Sequence, residues 1–134
     1  MLRLAATAAA RAAPRARFAA RPLGSLAAGV DFDTVAREWR CKWSADNDKA
    51  SLVAAQKELE AVLSAVKAVK GVSRVQRIVC GGCLDFKVIT SVDAAEFGAW
   101  AEGDFAPEAD FLAALGAIDG VDTVETQTFT CVDV

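Results

Sequence analysis

Two cysteines separated by two glycines form the most chemically suggestive motif in this sequence, Cys80-Gly81-Gly82-Cys83. Two glycines between β-rich runs indicate a hairpin, and residues that flank a two-residue turn face each other with Cα atoms about 5.5 Å apart. A disulfide accepts that separation. The motif predicts either a redox thiol pair or a turn with incidental cysteines. Thioredoxin-like chemistry is disfavoured, because its active thiolate lies at a helix N-terminus.

The residue types that the sequence lacks limit the other chemistry. Its 134 residues include no His and no Tyr. Histidine is the commonest metal ligand and a frequent general base. A zinc ion would need two ligands besides the pair at 80 and 83, and Cys41 and Cys131 are predicted on strands away from that hairpin. We therefore expect no catalytic residues, no metal site and no cofactor.

A second candidate site is a set of charged side chains on one face of a predicted sheet. Residues 37–44 alternate between apolar and charged side chains, as a strand does when one of its faces is buried. Residues 83–90 alternate in the same way, so two charged rows are expected. The charged side chains that could hold an anionic or zwitterionic ligand are Arg40, Lys42, Asp85 and Lys87. The alternatives are a charged dimer seam and a solvated sheet face.

The apolar side chains of these strands predict the core on the opposite face. They are Trp39, Cys41, Trp43, Leu84, Phe86 and Val88. Helices packed on this face would bury them. The charged face also carries Glu38, Glu125 and Gln127, and some of its charges can pair across strands. We expect that face to be uncovered and available to a partner or a polar ligand.

The elements that position these residues occur in the order βαββαβ. The hydrophobic periodicity predicts strands over residues 37–44, 73–80, 83–90 and 123–132,. It also predicts a helix from about residue 46 to 70, and a second one that begins at Ser91 or Asp93, breaks near Gly103 and restarts at Pro107,. A Gly-Val pair follows each helix, at 71–72 and 120–121, and its glycine can adopt the positive φ of a C′ position.

This order predicts an α+β domain on the ferredoxin-like plan. Its antiparallel four-stranded sheet has the order 4-1-3-2, and both helices lie on one face. Sequence length allows one domain with a sizeable core. No apolar run approaches the ~18 residues of a membrane span.

The first thirty residues differ in composition from the rest. Their basic residues, which come without any acidic one, are Arg3, Arg11, Arg15, Arg17 and Arg21. Arg-rich, acid-poor N-termini are typical of organellar presequences, and a disordered basic arm is the alternative. We predict a presequence at 1–30 and one domain at 31–134. The expected organelle is the mitochondrion, with the plastid as the alternative, because Arg outweighs Ser.

Removal of that segment makes the chain strongly acidic. Ten basic residues then remain against eighteen acidic ones. A surface with this balance repels phosphate backbones. Nucleic acid is therefore not an expected partner.

Residues 39–132 resemble the dimeric α/β-barrel superfamily, in which two ferredoxin-like sheets face each other and close a barrel. The Gly-Cys-Leu-Asp-Phe run at 82–86 and the Gly-Val pair at 120–121 resemble the ligand-sensing domain of Lrp/AsnC regulators. The first strand, ending Lys-Trp-Ser at 42–44, and the broken second helix resemble stress-responsive A/B-barrel and antibiotic-biosynthesis-monooxygenase domains. In the sensing branch the hairpin Gly and Asp lie near the effector, which implies Gly82 and Asp85 as ligand-binding candidates.

Together these features predict a non-catalytic organellar protein. Its charged sheet face would form a homodimer, bind a small polar ligand or join a larger assembly. The alternative is a cofactor-independent, monooxygenase-like enzyme that uses the barrel interior, with Trp39, Arg40 and Asp85 in its lining. A small-molecule sensor of the amino-acid-binding kind, detached from DNA, is a third hypothesis.

Overall fold

The computed structural model describes residues 24–134. Most of the predicted presequence, residues 1–23, lies outside them. The predicted presequence therefore overlaps the described chain only at residues 24–30. Gly24–Ala27 (β1) and Val30–Phe32 (β2) form a two-stranded sheet. Phe32–Val134 form a separate compact unit, which contains the remaining elements.

This larger unit has the predicted element order, with the second helix divided in two. Its elements are β3 (Thr34–Lys42), α1 (Asp46–Lys67), β4 (Val72–Val79), β5 (Asp85–Asp93), α2 (Ala94–Glu102), α3 (Glu108–Gly116) and β6 (Asp122–Cys131). The strands pair antiparallel in the order β4-β5-β3-β6. Read from β6, this is the predicted 4-1-3-2 order, and the ferredoxin-like α+β fold is confirmed.

The register of the central strand β3 places each predicted row of side chains on one face. Trp39 lies opposite Val88, while Arg40 lies opposite Lys87 on one side and Glu125 on the other. The helices pack on the Trp39 face. Its core includes Trp39, Cys41, Trp43, Ala55, Leu59, Phe86, Val88, Trp100, Phe111 and Leu115. We call the Arg40 side the polar face, and within the described residues no helix lies on it.

Both helices end in the same way, with three residues between the last helical residue and the glycine of the Gly-Val pair, and therefore earlier than the sequence predicts. α1 ends at Lys67 and α3 at Gly116, and each is followed by hydrogen bonds between residues three apart before the glycine is reached. Gly71 and Gly120 then take φ values of +87° and +94°. The glycines are thus not C′ residues, but the positive φ that we predicted is present because the chain reverses there into a strand.

The start of α1 also differs from a simple capped helix. Asn47, Asp48 and Lys49 have left-handed backbone angles, with φ between 54° and 62°. Asn and Asp tolerate this conformation better than most residues. Ser51 Oγ accepts a hydrogen bond from the Ser44 N–H at 2.8 Å. A serine inside the helix therefore holds the segment that follows β3, and no side chain among the described residues caps the start of α1.

The second helix divides where glycine and proline predict. Asp93 caps α2 by accepting a hydrogen bond from the Ala95 N–H at 2.9 Å, so Asp93 rather than Ser91 is the cap. Turns follow Gly103, and α3 begins after Pro107. The divided helix brings the carboxylate of Glu108, the first residue of α3, over the sheet.

Candidate functional site

The cysteine motif lies in a hairpin loop that is longer than predicted. β4 ends at Val79 and β5 begins at Asp85, so the loop holds five residues rather than two glycines. The Cys80 N–H donates to the Asp85 carbonyl at 3.0 Å, and Leu84 takes a φ of +63°, which delays the start of β5. Cys80 and Cys83 nevertheless form a disulfide, with Cα atoms 5.6 Å apart.

The structure brings together three of the charged candidates beside this loop. Lys42 Nζ lies 2.6 Å from Asp85 Oδ1 and donates to the Cys83 carbonyl at 2.8 Å. Arg40 Nη2 lies 2.8 Å from Glu125 Oε1. These residues line a small cavity of about 130 Å³ at one end of the polar face. Opposite charges therefore alternate across adjacent strands.

The other two ligand candidates lie outside this cavity. Lys87 is on the polar face, opposite Arg40 in the register, but it does not line the cavity. Gly82 is at the exposed tip of the hairpin loop, where an added Cβ would meet no atom within 4 Å. Arg40, Lys42 and Asp85 thus form one group, and Gly82 is separate from it.

Pairing stabilises the charged forms in this group. The hydrogen bond from Lys42 lowers the pKa of Asp85, and the hydrogen bond to Glu125 raises the pKa of Arg40. On the opposite face, burial raises the pKa of Cys41 to about 11, so its thiol is protonated at neutral pH. Cys41 and the disulfide sulfurs therefore differ in both location and chemistry.

Glu38 lies on the polar face, and its carboxylate is nearly enclosed. Its residue surface is 5% exposed, and Oε2 has no hydrogen-bond partner within residues 24–134. The Arg40 guanidinium lies 3.5 Å away as an ion-pair partner. A buried carboxylate oxygen without a hydrogen-bond donor is costly. Sequence alternation placed Glu38 on this face but did not reveal its burial.

The helix face contains a polar group that the sequence analysis did not identify. Glu108 accepts two hydrogen bonds from Arg37, at 2.7 and 3.0 Å, and one from Trp39 Nε1 at 2.7 Å. The Arg37 guanidinium also lies 4.1 Å from the centre of the Phe105 ring. Because 71 residues separate Arg37 from Glu108, no local pattern could pair them.

Aromatic rings fill the space between the helices and the sheet. The Trp39 ring lies 5.2 Å from the Phe111 ring and 6.3 Å from the Trp100 ring. The prediction that Trp39, Arg40 and Asp85 line one interior cavity is wrong. Trp39 points toward the helices, whereas Arg40 and Asp85 lie on the polar face, because successive strand residues alternate between faces.

The structure also shows two larger cavities. An apolar groove of about 470 Å³ lies between α1 and β4, with Leu52, Val53, Val79 and Phe86 among its lining. A second cavity of about 370 Å³ lies at the other end of the polar face, near Ser91, Phe129 and Cys131. Cys131 is therefore far along β6 from the hairpin loop, and Cys41 points to the helices. Among residues 24–134, no group of three or more His, Cys, Asp or Glu side chains is arranged to hold a metal ion.

The fold is that of a ferredoxin-like domain, and solved structures share it. Rv0793 from Mycobacterium tuberculosis has a similar structure (16% identity, TM-score 0.56, covering 75% of this chain and 97% of that one). So do the monooxygenase ActVA-Orf6 of Streptomyces coelicolor, solved with nanaomycin D (12%, 0.54, 77% and 90%), and SnoaB, a cofactor-independent oxygenase from Streptomyces nogalater (16%, 0.51, 76% and 96%).

At these identities the likeness shows the fold alone. No protein-family model matches the sequence, and no curated protein does. None of the helices in the described part of the chain is long and apolar enough to cross a membrane. The activity of this chain must therefore be argued from its own residues.

Proposed function

We propose that this domain is a non-catalytic binding module that pairs its polar face with the same face of a second copy. The observation that carries the proposal is Glu38, whose carboxylate is buried on that face with one oxygen that is ion-paired with Arg40 at 3.5 Å but accepts no hydrogen bond among the described residues. A second copy would bring its own donors to this face. In the resulting barrel each copy would cover the polar face of the other.

The charge pattern favours a second copy over a partner of one charge sign. Arg40 lies between two acidic residues, Glu38 and Glu125, and Lys42 is paired with Asp85. A twofold axis brings a patch against itself. Since this patch carries both signs, a small shift between the copies can place basic side chains opposite acidic ones.

The polar face also has an apolar component that an interface requires. Ile78 is 40% exposed on the edge strand β4, where it lies opposite Lys87, and Ile89 and Phe129 are half-buried on neighbouring strands. Interface cores are usually apolar with a polar rim. Burial of such side chains would supply the hydrophobic contribution to association.

Light scattering after size exclusion tests the proposal with two matched variants of the full chain. Ile78→Arg places a charge on the polar face, and Val53→Arg places one at a similarly exposed apolar position on α1. We expect the wild type and Val53→Arg to be dimers and Ile78→Arg to be a folded monomer. A monomeric wild type at micromolar concentration would contradict the proposal, as would a dimer that Ile78→Arg leaves unchanged.

The alternative is that this chain is a small-molecule enzyme. Two of the structural neighbours are described as oxygenases. In this chain the region between helices and sheet holds the packed Trp39 and Phe111 rings, so such an enzyme would have to use another cavity. Quinones and polyketide-like aromatics should be added to the purified protein while its melting temperature is measured. A saturable stabilisation that Leu52→Arg in the α1–β4 groove abolishes would favour the enzyme. No shift with any compound would favour the binding module.

A small polar ligand at Arg40, Lys42 and Asp85 would be compatible with either function. The cavity of about 130 Å³ at these residues can hold only a few non-hydrogen atoms. Amino acids are the appropriate probes because their two charges match the two signs of the site. Isothermal titration of the wild type and of Asp85→Asn tests this: binding that Asp85→Asn weakens supports the ligand site, and the absence of heat with every amino acid opposes it.

We further propose that the chain is imported into the mitochondrion, and that it acts there as a homodimer or within a larger assembly. The support is the acid-free, Arg-containing composition of residues 1–30,. N-terminal sequencing of the native protein tests the proposal. A start before Arg15 would contradict import, and a start between residues 20 and 31 would support it.

A further inference from the structure

The two sulfurs of the hairpin disulfide have different surroundings. Cys83 is exposed, and Cys80 is half-buried. The Cys83 N–H points at Cys80 Sγ, 3.1 Å away. Cys83 Sγ instead lies 3.3 Å from Asp85 Oδ2. A disulfide sulfur has no proton, so this second contact joins two electron-rich atoms and is not a hydrogen bond in the oxidised protein.

We propose that Cys80 and Cys83 form a thiol–disulfide exchange site for a small thiol, with Cys80 as the sulfur that ionises. A backbone N–H directed at Cys80 Sγ stabilises negative charge there. The Asp85 carboxylate beside Cys83 disfavours negative charge on that sulfur. The two cysteines thus have distinct roles, which incidental cysteines in a turn would not require. This proposal is independent of the pairing of polar faces.

Oxidation of the reduced pair proceeds in two balanced steps. The Cys80 thiolate attacks one sulfur of a small disulfide such as glutathione disulfide, which forms a mixed disulfide at Cys80 and releases one glutathione thiolate. The Cys83 thiol then loses its proton to water and attacks Cys80 Sγ. The second glutathione thiolate leaves, and the 80–83 disulfide has formed with two electrons transferred to glutathione.

Reduction reverses these steps, and the surroundings favour the same division of roles. A small thiolate attacks Cys80 Sγ, which restores the mixed disulfide at Cys80 and expels Cys83, and Cys83 takes a proton from water. A second small thiolate then attacks the outer sulfur of the mixed disulfide, and Cys80 leaves as a thiolate held by the Cys83 N–H. Lys42 reduces the repulsion that the incoming anion meets, since its ammonium lies 2.6 Å from the Asp85 carboxylate. Once a second small thiolate has completed the reduction, the Cys83 S–H can donate to Asp85 Oδ2, which converts an unfavourable contact into a hydrogen bond.

Trapping of the mixed disulfide tests the assignment. The full chain with Cys83→Ser and the full chain with Cys80→Ser are reduced, freed of reductant and treated with limiting glutathione disulfide. Acid quenching and peptide mass spectrometry then give the rate of glutathione addition at the remaining hairpin cysteine. We expect addition at Cys80 to be about tenfold faster than at Cys83.

Asp85→Asn supplies the second measurement. Added to the Cys80→Ser chain, it should raise the rate at Cys83 severalfold, because the carboxylate that disfavours the thiolate has been removed. Asp122→Asn, an exposed acid on the last strand, is the control and should leave that rate unchanged. The wild type should convert between dithiol and disulfide when the ratio of glutathione to its disulfide is varied. Equal rates at the two cysteines would overturn the proposal, and so would a wild type that stays reduced in excess glutathione disulfide.

Discussion

Replacement of Glu108 by Ala is expected to destabilise the domain by about 3 kcal/mol. Glu108 accepts hydrogen bonds from Arg37 and from Trp39. Removal of one partner from a buried charge pair costs about 3–5 kcal/mol, and an unpaired indole N–H adds about 1 kcal/mol. The Arg37 and Glu108 side chains are 15% and 14% exposed to solvent. Solvent therefore screens part of the loss, which puts the expected value at the low end.

Urea denaturation followed by tryptophan fluorescence measures this loss directly. Asp110→Ala is the matched control, because Asp110 is an exposed acid in the same first turn of α3, and its loss should stay below about 1 kcal/mol. Glu108→Gln keeps an acceptor for the indole and should fall between the two. A double variant, Arg37→Met with Glu108→Leu, should lose less than the sum of its single changes, because neither charge is then stranded. Equal losses in Glu108→Ala and Asp110→Ala would refute the reasoning.

Three further predictions concern single positions. Gly71→Ala should lower the free energy of unfolding by about 1–3 kcal/mol, because φ is positive there and the new Cβ would lie 2.6 Å from Glu96 Cβ,. Gly82→Ala, which has open space around the new Cβ, should leave the free energy of unfolding unchanged in the same urea titration. Asp85→Asn should be less stable than the wild type at pH 7. Since the folded-state pKa of Asp85 is lowered, the difference in unfolding free energy between the two proteins should persist above about pH 4 and disappear on further acidification. A difference that grows at low pH would contradict the ion pair. Cys41, with a pKa of about 11, should resist iodoacetamide at pH 8 until the protein is unfolded, and rapid native labelling by mass spectrometry would contradict its burial.

The element order and the faces of the sheet were predictable because they rest on local periodicity. The alternation from Trp39 to Trp43 correctly separated the core from the charged face, and the sheet order followed from the βαββαβ plan. The same alternation also argues against a single cavity lined by Trp39 and Arg40, since neighbouring strand residues point to opposite faces.

The rest depended on contacts that no local pattern encodes. Glu108 meets Arg37 only because the helix restarts after Pro107, and the two are far apart in sequence. The hairpin loop is longer than a Gly-Gly turn because Leu84 adopts a left-handed conformation that its residue type rarely favours,. The sequence left open whether the two cysteines are bonded, and the longer loop still holds their Cα atoms 5.6 Å apart.

The position of β3 in the sheet bears on how the chain reaches its folded state. β3 is the first strand of its sheet along the chain, and β6, which pairs with it from Thr34↔Cys131 to Lys42↔Asp122, is the last. Pairings between such distant residues form slowly. A nascent or truncated chain that ends before Asp122 would therefore present one whole edge of β3 unpaired, and such edges recruit strands from other chains. Loss of this short C-terminal segment should lead to aggregation rather than to a smaller folded domain.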